Sequence, residues 1–86
     1  VRQLAVEYGA EGIRINAIAP GWITTEMFEE SMKGTDRRTR ILARTPLGRF
    51  GETCEVGNTA AFLVSPLASF ITGSSLKVDG GVAISF

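Results

Sequence analysis

The sequence predicts an α/β fold in which parallel strands are joined through a helix, and three stretches predict it. Ile13 to Ala19 is apolar on both parities, with Ile13, Ile15, Ala17 and Ala19 on one face and Ile18 on the other, as expected of a strand covered from both sides. Val56, Ala60, Leu63 and Val64 recur at helical spacing. Phe70 to Val78 reads as a second strand with Gly73 at a bend, and Asp79-Gly80-Gly81 as the turn after it. Strand, helix and strand in that order make one right-handed parallel crossover.

The elements follow in chain order. Val1, Leu4, Ala5 and Tyr8 form the apolar stripe of an opening helix, with Arg2, Gln3 and Glu7 on its other side and Gly9 and Gly12 as stop signals. Tyr8 is expected as a half-buried ring near the helix end. Pro20 ends the first strand because it has no N–H for a ladder, and Gly21 permits an approach that a Cβ would forbid. A strand, a Pro-Gly pair and a polar loop are how an open α/β sheet presents backbone groups to a ligand at its carboxyl edge. Thr24 or Thr25 then caps a short helix through Met27, Phe28 and Met32, with Glu26, Glu29 and Glu30 in its first turns. Thr35 or Asp36 caps another through Ile41, Leu42 and Ala43, ending before Pro46. The apolar side chains of residues 26–45 fit either a cover over a ligand or the anchors of a surface connection. Arg37, Arg38, Arg40 and Arg44, followed by Arg49, fit either an anion site or a solvated face paired with the preceding glutamates. Thr45 to Glu52 is turn-rich, Thr53 caps the long helix, and Ser65-Pro66 ends it. Val82, Ala83, Ile84 and Phe86 leave an apolar tail that needs a surface.

Composition narrows the function. A chain of 86 residues makes one small domain, residues 1–86, of marginal stability, and a partner surface would add to its core. Nine basic and nine acidic residues cancel, which removes the field expected of a nucleic-acid or polyanion binder. One cysteine excludes an internal disulfide framework, and Cys54 has no histidine or second cysteine to support a nucleophilic role. With no histidine and no zinc-ligand spacing, no metal site is expected. No apolar run reaches membrane-spanning length and no signal segment opens the chain, so the expectation is a cytoplasmic protein without membrane contact. Val1 opens in helical rhythm, as in a truncation, a nicked product or a start read as valine.

Three segments in order, I-R-I-N-A-I-A-P-G-W-I-T-T, T-P-L-G-R-F-G-E and F-I-T-G-S-S-L-K-V-D-G-G, resemble the C-terminal part of the short-chain dehydrogenase/reductase family over nearly the whole chain. The resemblance implies the C-terminal portion of a Rossmann-like parallel sheet, incomplete on its own, from an NAD(P)-dependent oxidoreductase. Its phosphate loop and catalytic Ser, Tyr and Lys would lie upstream, so no catalytic residue is assigned and the chain alone is expected to bind no cofactor. In the complete parent, NAD or NADP would lie against Pro20, Gly21 and Ile23, with the Ile23 backbone meeting the nicotinamide carboxamide and Thr25 beside the phosphates. Residues 26–45 would be a substrate lid using Met27, Phe28, Met32 and Leu42, over a small carbonyl or alcohol substrate. The resemblance also implies a homo-oligomer, or pairing with a missing N-terminal part. The family usually has a Pro-Glu pair where Thr53-Cys54 stands, a departure that keeps the helix start. A different class of reading is a non-catalytic assembly module that folds by pairing its helix and strand edge with another copy.

Overall fold

The computed structural model describes residues 1–85. The elements are α1 (Arg2–Tyr8), β1 (Ala17–Pro20), α2 (Glu26–Met32), α3 (Arg37–Ala43), α4 (Thr53–Val64) and β2 (Ser75–Val78), with 3-10 turns at Gly9–Glu11, Pro66–Ala68 and Val82–Ile84. β1 and β2 pair in parallel, from Ala17 opposite Ser75 to Pro20 opposite Val78, and α4 packs on both. The fold class is therefore α/β, as the sequence predicts. Phe86, assigned to the apolar tail, lies outside the described residues.

Both strands are shorter than expected, for a reason that local pattern does not reveal. Residues 13–16 run beside residues 71–74, but side chains replace much of the ladder. Asn16 Nδ2 donates to the Ile71 carbonyl (3.0 Å) and its Oδ1 accepts from Ser74 N–H (3.0 Å), while Thr72 Oγ1 accepts from Ile15 N–H (3.1 Å). Arg14 donates to the carbonyls of Leu63 (2.8 Å) and Ile71 (3.2 Å), tying the end of α4 to the same strip.

Pro20 ends the strand, as expected, and is itself its last paired residue. Ala17 donates to the Ser74 carbonyl just before β2 (2.8 Å) and Gly21 to Val78 at its end (3.0 Å), so residues of the other parity turn their nitrogens away from β2. Pro20 has that parity, and its missing N–H costs this ladder nothing.

Gly21 is needed just beyond. A Cβ built there would lie 2.7 Å from Asp79 Cβ and 2.8 Å from Asp79 Cα, contacts that a Cβ does not make without displacing backbone. Its φ is not positive. The close approach expected at this glycine is made to Asp79: the carboxyl ends of β1 and β2 touch here.

Helix starts follow their caps. Thr25 Oγ1 accepts from Phe28 N–H (3.1 Å) at the start of α2. Asp36 precedes α3 without a side-chain cap bond, and Thr35 Oγ1 takes the Arg37 N–H instead (3.3 Å). α4 is capped by Glu52 rather than Thr53, and Glu55 returns a carboxylate to the Glu52 N–H (2.9 Å).

The described chain is long and thin, 52 × 27 × 19 Å with a radius of gyration of 15.9 Å, against about 12 Å for a compact domain of this length. Its buried apolar residues, Ala5, Met32, Phe50, Leu63 and Ala68, are spread along it. Val64, Leu67 and Phe70 are at least 81% exposed, as is Val6 on α1. Two strands and one packing helix leave most apolar faces of this architecture open.

The Gly21–Asp79 contact predicts that Gly21→Val lowers stability by about 1–3 kcal/mol through overpacking. Gly57, inside α4 with nothing within 4 Å of a built Cβ, should do the opposite: Gly57→Ala gains about 0.5–1 kcal/mol. Urea midpoints of the two variants against the parent read both signs.

Candidate cofactor-side loop and lid

The loop after β1 is fixed from two directions. Gly21 rests on Asp79, and Ile23 forms an isolated parallel bridge with Gly51. In that bridge Gly51 N–H donates to the Trp22 carbonyl (2.9 Å) and Thr24 N–H donates to the Gly51 carbonyl (2.8 Å). The pattern uses the residues flanking Ile23, so its own N–H and C=O face the opposite edge. Neither has a hydrogen-bond partner among the described residues. A donor and an acceptor side by side on a held strand edge match the two hydrogen-bonding groups of a primary amide.

Gly51 is placed by the connection before α4. Arg49 forms a two-nitrogen fork on Glu55 (2.7 and 2.9 Å) and also donates to the Phe50 carbonyl (3.1 Å). Hydrogen bonding from Arg49, then from the Glu52 backbone, holds the Glu55 carboxyl down to about 2 from an ordinary value of 4.5. The guanidinium of Arg49 is raised in turn by the same partner.

An aromatic cluster joins this loop to α2. Trp22 stacks on Phe28 with centroids 5.9 Å apart, and Phe28 meets buried Phe50 edge-on at 5.0 Å. Arg38 lies 4.8 Å above the Phe50 ring and bonds both oxygens of Glu29 (2.9 and 2.8 Å). Each ring pair contributes about 0.5–1.5 kcal/mol beyond its buried area, so α2 is clipped to the loop rather than hanging from it.

Pro20 ends β1, Gly21 still bonds to Val78, and after a bend at Trp22 Ile23 pairs separately with Gly51, with Thr25 following as the α2 cap. The Thr25 hydroxyl oxygen accepts from Phe28, leaving its proton to donate. The apolar residues assigned to the lid are not gathered into one wall. Met32 is buried as an anchor, Phe28 belongs to the ring cluster, Leu42 is half-buried and Met27 is 83% exposed. Trp22 received no role from the sequence, yet it is 41% exposed and lines the concave surfaces on both sides of the loop. The sequence signal that marks it is its being the chain's single tryptophan, next to Pro-Gly. Among the described residues no group of side chains has metal-site geometry, and no helix is long and apolar enough to cross a membrane.

A family model described as enoyl-(acyl carrier protein) reductase matches residues 1–83. A tropinone reductase homolog of Arabidopsis thaliana is 45% identical over 83 residues, which cover 96% of this chain and 32% of that protein. Galactitol 2-dehydrogenase (L-tagatose-forming) of Cereibacter sphaeroides is 43% identical over the same share of this chain and 33% of its own length. A structure assigned as a 2-deoxy-D-gluconate 3-dehydrogenase of Agrobacterium tumefaciens, with bound NADP, superposes with a TM-score of 0.90 at 41% identity, covering 96% of this chain and 34% of that one. The chain belongs to the short-chain dehydrogenase/reductase family, whose sheet is Rossmann-like. It spans about a third of the length of the relatives it matches.

The Arg49–Glu55 fork gives the loop a defined acid response. Because the Glu55 carboxyl is lowered in the folded chain, its contribution is complete above its ordinary value of 4.5 and disappears as pH falls through about 2. The parent should lose stability over that window, and Glu55→Gln should lack this component at every pH. Urea midpoints of both proteins from pH 7 down to about 2 test this; parallel curves would exclude it.

Proposed function

We propose that this chain supplies the nicotinamide-side loop and the substrate lid of an NAD(P)-dependent oxidoreductase acting on a small carbonyl or alcohol. The observation that carries the reading is the Ile23 edge, with N–H and C=O turned away from the Gly51 bridge. The cofactor, when bound, supplies or takes up the hydride. The chain's part is to hold and orient: Ile23 offers the donor and acceptor that a carboxamide requires, the Thr25 hydroxyl proton is available to an adjacent phosphate oxygen, and the Trp22–Phe28–Phe50 cluster fixes α2 over the site. Pro20 and Gly21 act through the backbone, by setting where the edge begins.

Proton transfer is not among this chain's roles. Tyr8 is the only tyrosine and position 12, four residues on, is glycine rather than lysine. The 86-residue chain alone is therefore expected to show no turnover. The open faces at Val64, Leu67 and Phe70 and along α1 favour a second element of the reading, contact with another copy or with the rest of a longer polypeptide. They also suit the alternative of a non-catalytic assembly module. Protein co-purified with the chain separates the two: an accompanying polypeptide with a phosphate loop and a Tyr/Lys pair supports the enzyme, a lone symmetric oligomer the module.

Two outcomes are expected. In the complete enzyme Ile23→Val leaves NAD(P)H affinity unchanged, whereas Ile23→Pro, which deletes an N–H that the Gly51 bridge does not use, weakens it by about 1 kcal/mol. Calorimetric titration with folding checked separately measures this, and equal effects of the two variants would refute the edge. Sedimentation of the 86-residue chain should show self-association; a stable, cooperatively unfolding monomer would contradict it.

A further inference from the structure

Between α3, Trp22 and Val82 lies a groove of about 690 Å³. Its long wall is one stripe of α3 and its C-cap, where Arg37, Arg40, Ile41 and the capping Arg44 stand at i, i+3, i+4 and i+7. Trp22 and Val82 face that stripe. Among the described residues no carboxylate lines the groove, whereas the surface on the other side of Trp22 carries Glu55 and Asp79 beside Arg49 and Lys77. The charge balance of the whole chain is thus broken locally.

The arginines differ in what occupies them. Arg38, off the stripe, is fully engaged by Glu29 and Phe50. Arg40 pairs with Asp36 at 3.2 Å, but the two side chains are 67% and 77% exposed, so the pair is weak and exchangeable. The Arg37 guanidinium has no ion pair or hydrogen bond among the described residues. Val82 is held in place, since Asp79 accepts from the N–H groups of Gly81 (3.0 Å) and Ala83 (3.2 Å) on either side of it. A rigid apolar floor, an indole wall and guanidiniums along one rim select an anion with a short apolar stem.

We propose that this groove takes the anionic end of the enzyme's small-molecule substrate, a carboxylate or phosphate monoester whose apolar stem lies between Trp22 and Val82. Calling the ligand a substrate depends on the oxidoreductase reading; the anion site itself does not. Arg37 and Arg40 hold the charged group by charge-assisted hydrogen bonds, and Asp36 competes with it for Arg40.

Trp22, the single tryptophan, makes the site directly readable in this chain. At matched ionic strength, sodium hexanoate and hexyl phosphate should each change Trp22 fluorescence saturably, and neutral hexanamide should bind at least about tenfold more weakly. Response to only one of the two anions assigns the group as carboxylate or as phosphate. Arg37→Gln, on an exposed helix face, should raise the hexanoate Kd about tenfold, with the emission maximum before probe addition confirming that the pocket is intact. Asp36→Asn should move the Kd the other way. Equal binding of hexanamide, no saturable response to either anion, or an unchanged Kd in Arg37→Gln overturns the proposal. Binding that follows the expected pattern, together with a complete protein that oxidises no NAD(P)H on any carbonyl panel, retains the anion groove and removes the oxidoreductase reading.

Discussion

The rest of the structure depends on the absence of one side-chain atom, the Cβ of Gly21. Because it is missing, the end of β1 comes against the Cα and Cβ of Asp79, and the loops that leave the two strands start from one point. Asp79 then spends its carboxylate on the turn that carries Val82, while the residues after Gly21 meet Gly51. The Ile23 edge, the Trp22 ring and the floor of the arginine groove are all positioned from this contact. A second interlock secures it: a Cβ on Gly81 would reach Pro46 at 2.8 Å, and Leu47 N–H donates to the Gly80 carbonyl at 3.1 Å. The T-P-L-G and D-G-G segments are two halves of one packed joint.

Much of this was legible locally. The α/β order, the Pro-Gly loop and the Thr25 cap follow from periodicity and turn chemistry, which act over a few residues, whereas Tyr8, expected half-buried, is exposed because nothing among the described residues covers that face of α1. What stayed hidden acts over distance. Nothing near Arg14 and Asn16 in the sequence shows that their partners are Leu63, Ile71 and Ser74, 49 to 58 positions away. The neighbour that requires Gly21, Asp79, lies equally far along the chain. The lid side chains divided for a similar reason: helical spacing shows that Met27, Phe28 and Met32 are apolar, but only the placement of Phe50 decides which of them turns inward.

The arginine run illustrates how helical phase sorts one cluster into two tasks. Arg38 faces α2 and Phe50, where it is neutralised and stacked; Arg37 and Arg40 fall on the opposite stripe, where the indole waits. Both sequence readings of the run, paired face and anion site, describe part of it.

The partners in the sheet are separated by the whole of α2, α3 and α4, and this spacing has a kinetic and evolutionary side. Pairing Ala17 with Ser75 closes a loop of nearly sixty residues, and such non-local pairing is slow to form because chain entropy is lost before the contact is made. The same physics makes the loop forgiving once it is long. Doubling its length would cost only about 0.6 kcal/mol more in closure entropy, so the helical insert between the strands can be lengthened, shortened or redecorated while the joint at Gly21 and Asp79 stays put. The places of the two strands in the chain thus let the segment between them vary around one fixed joint.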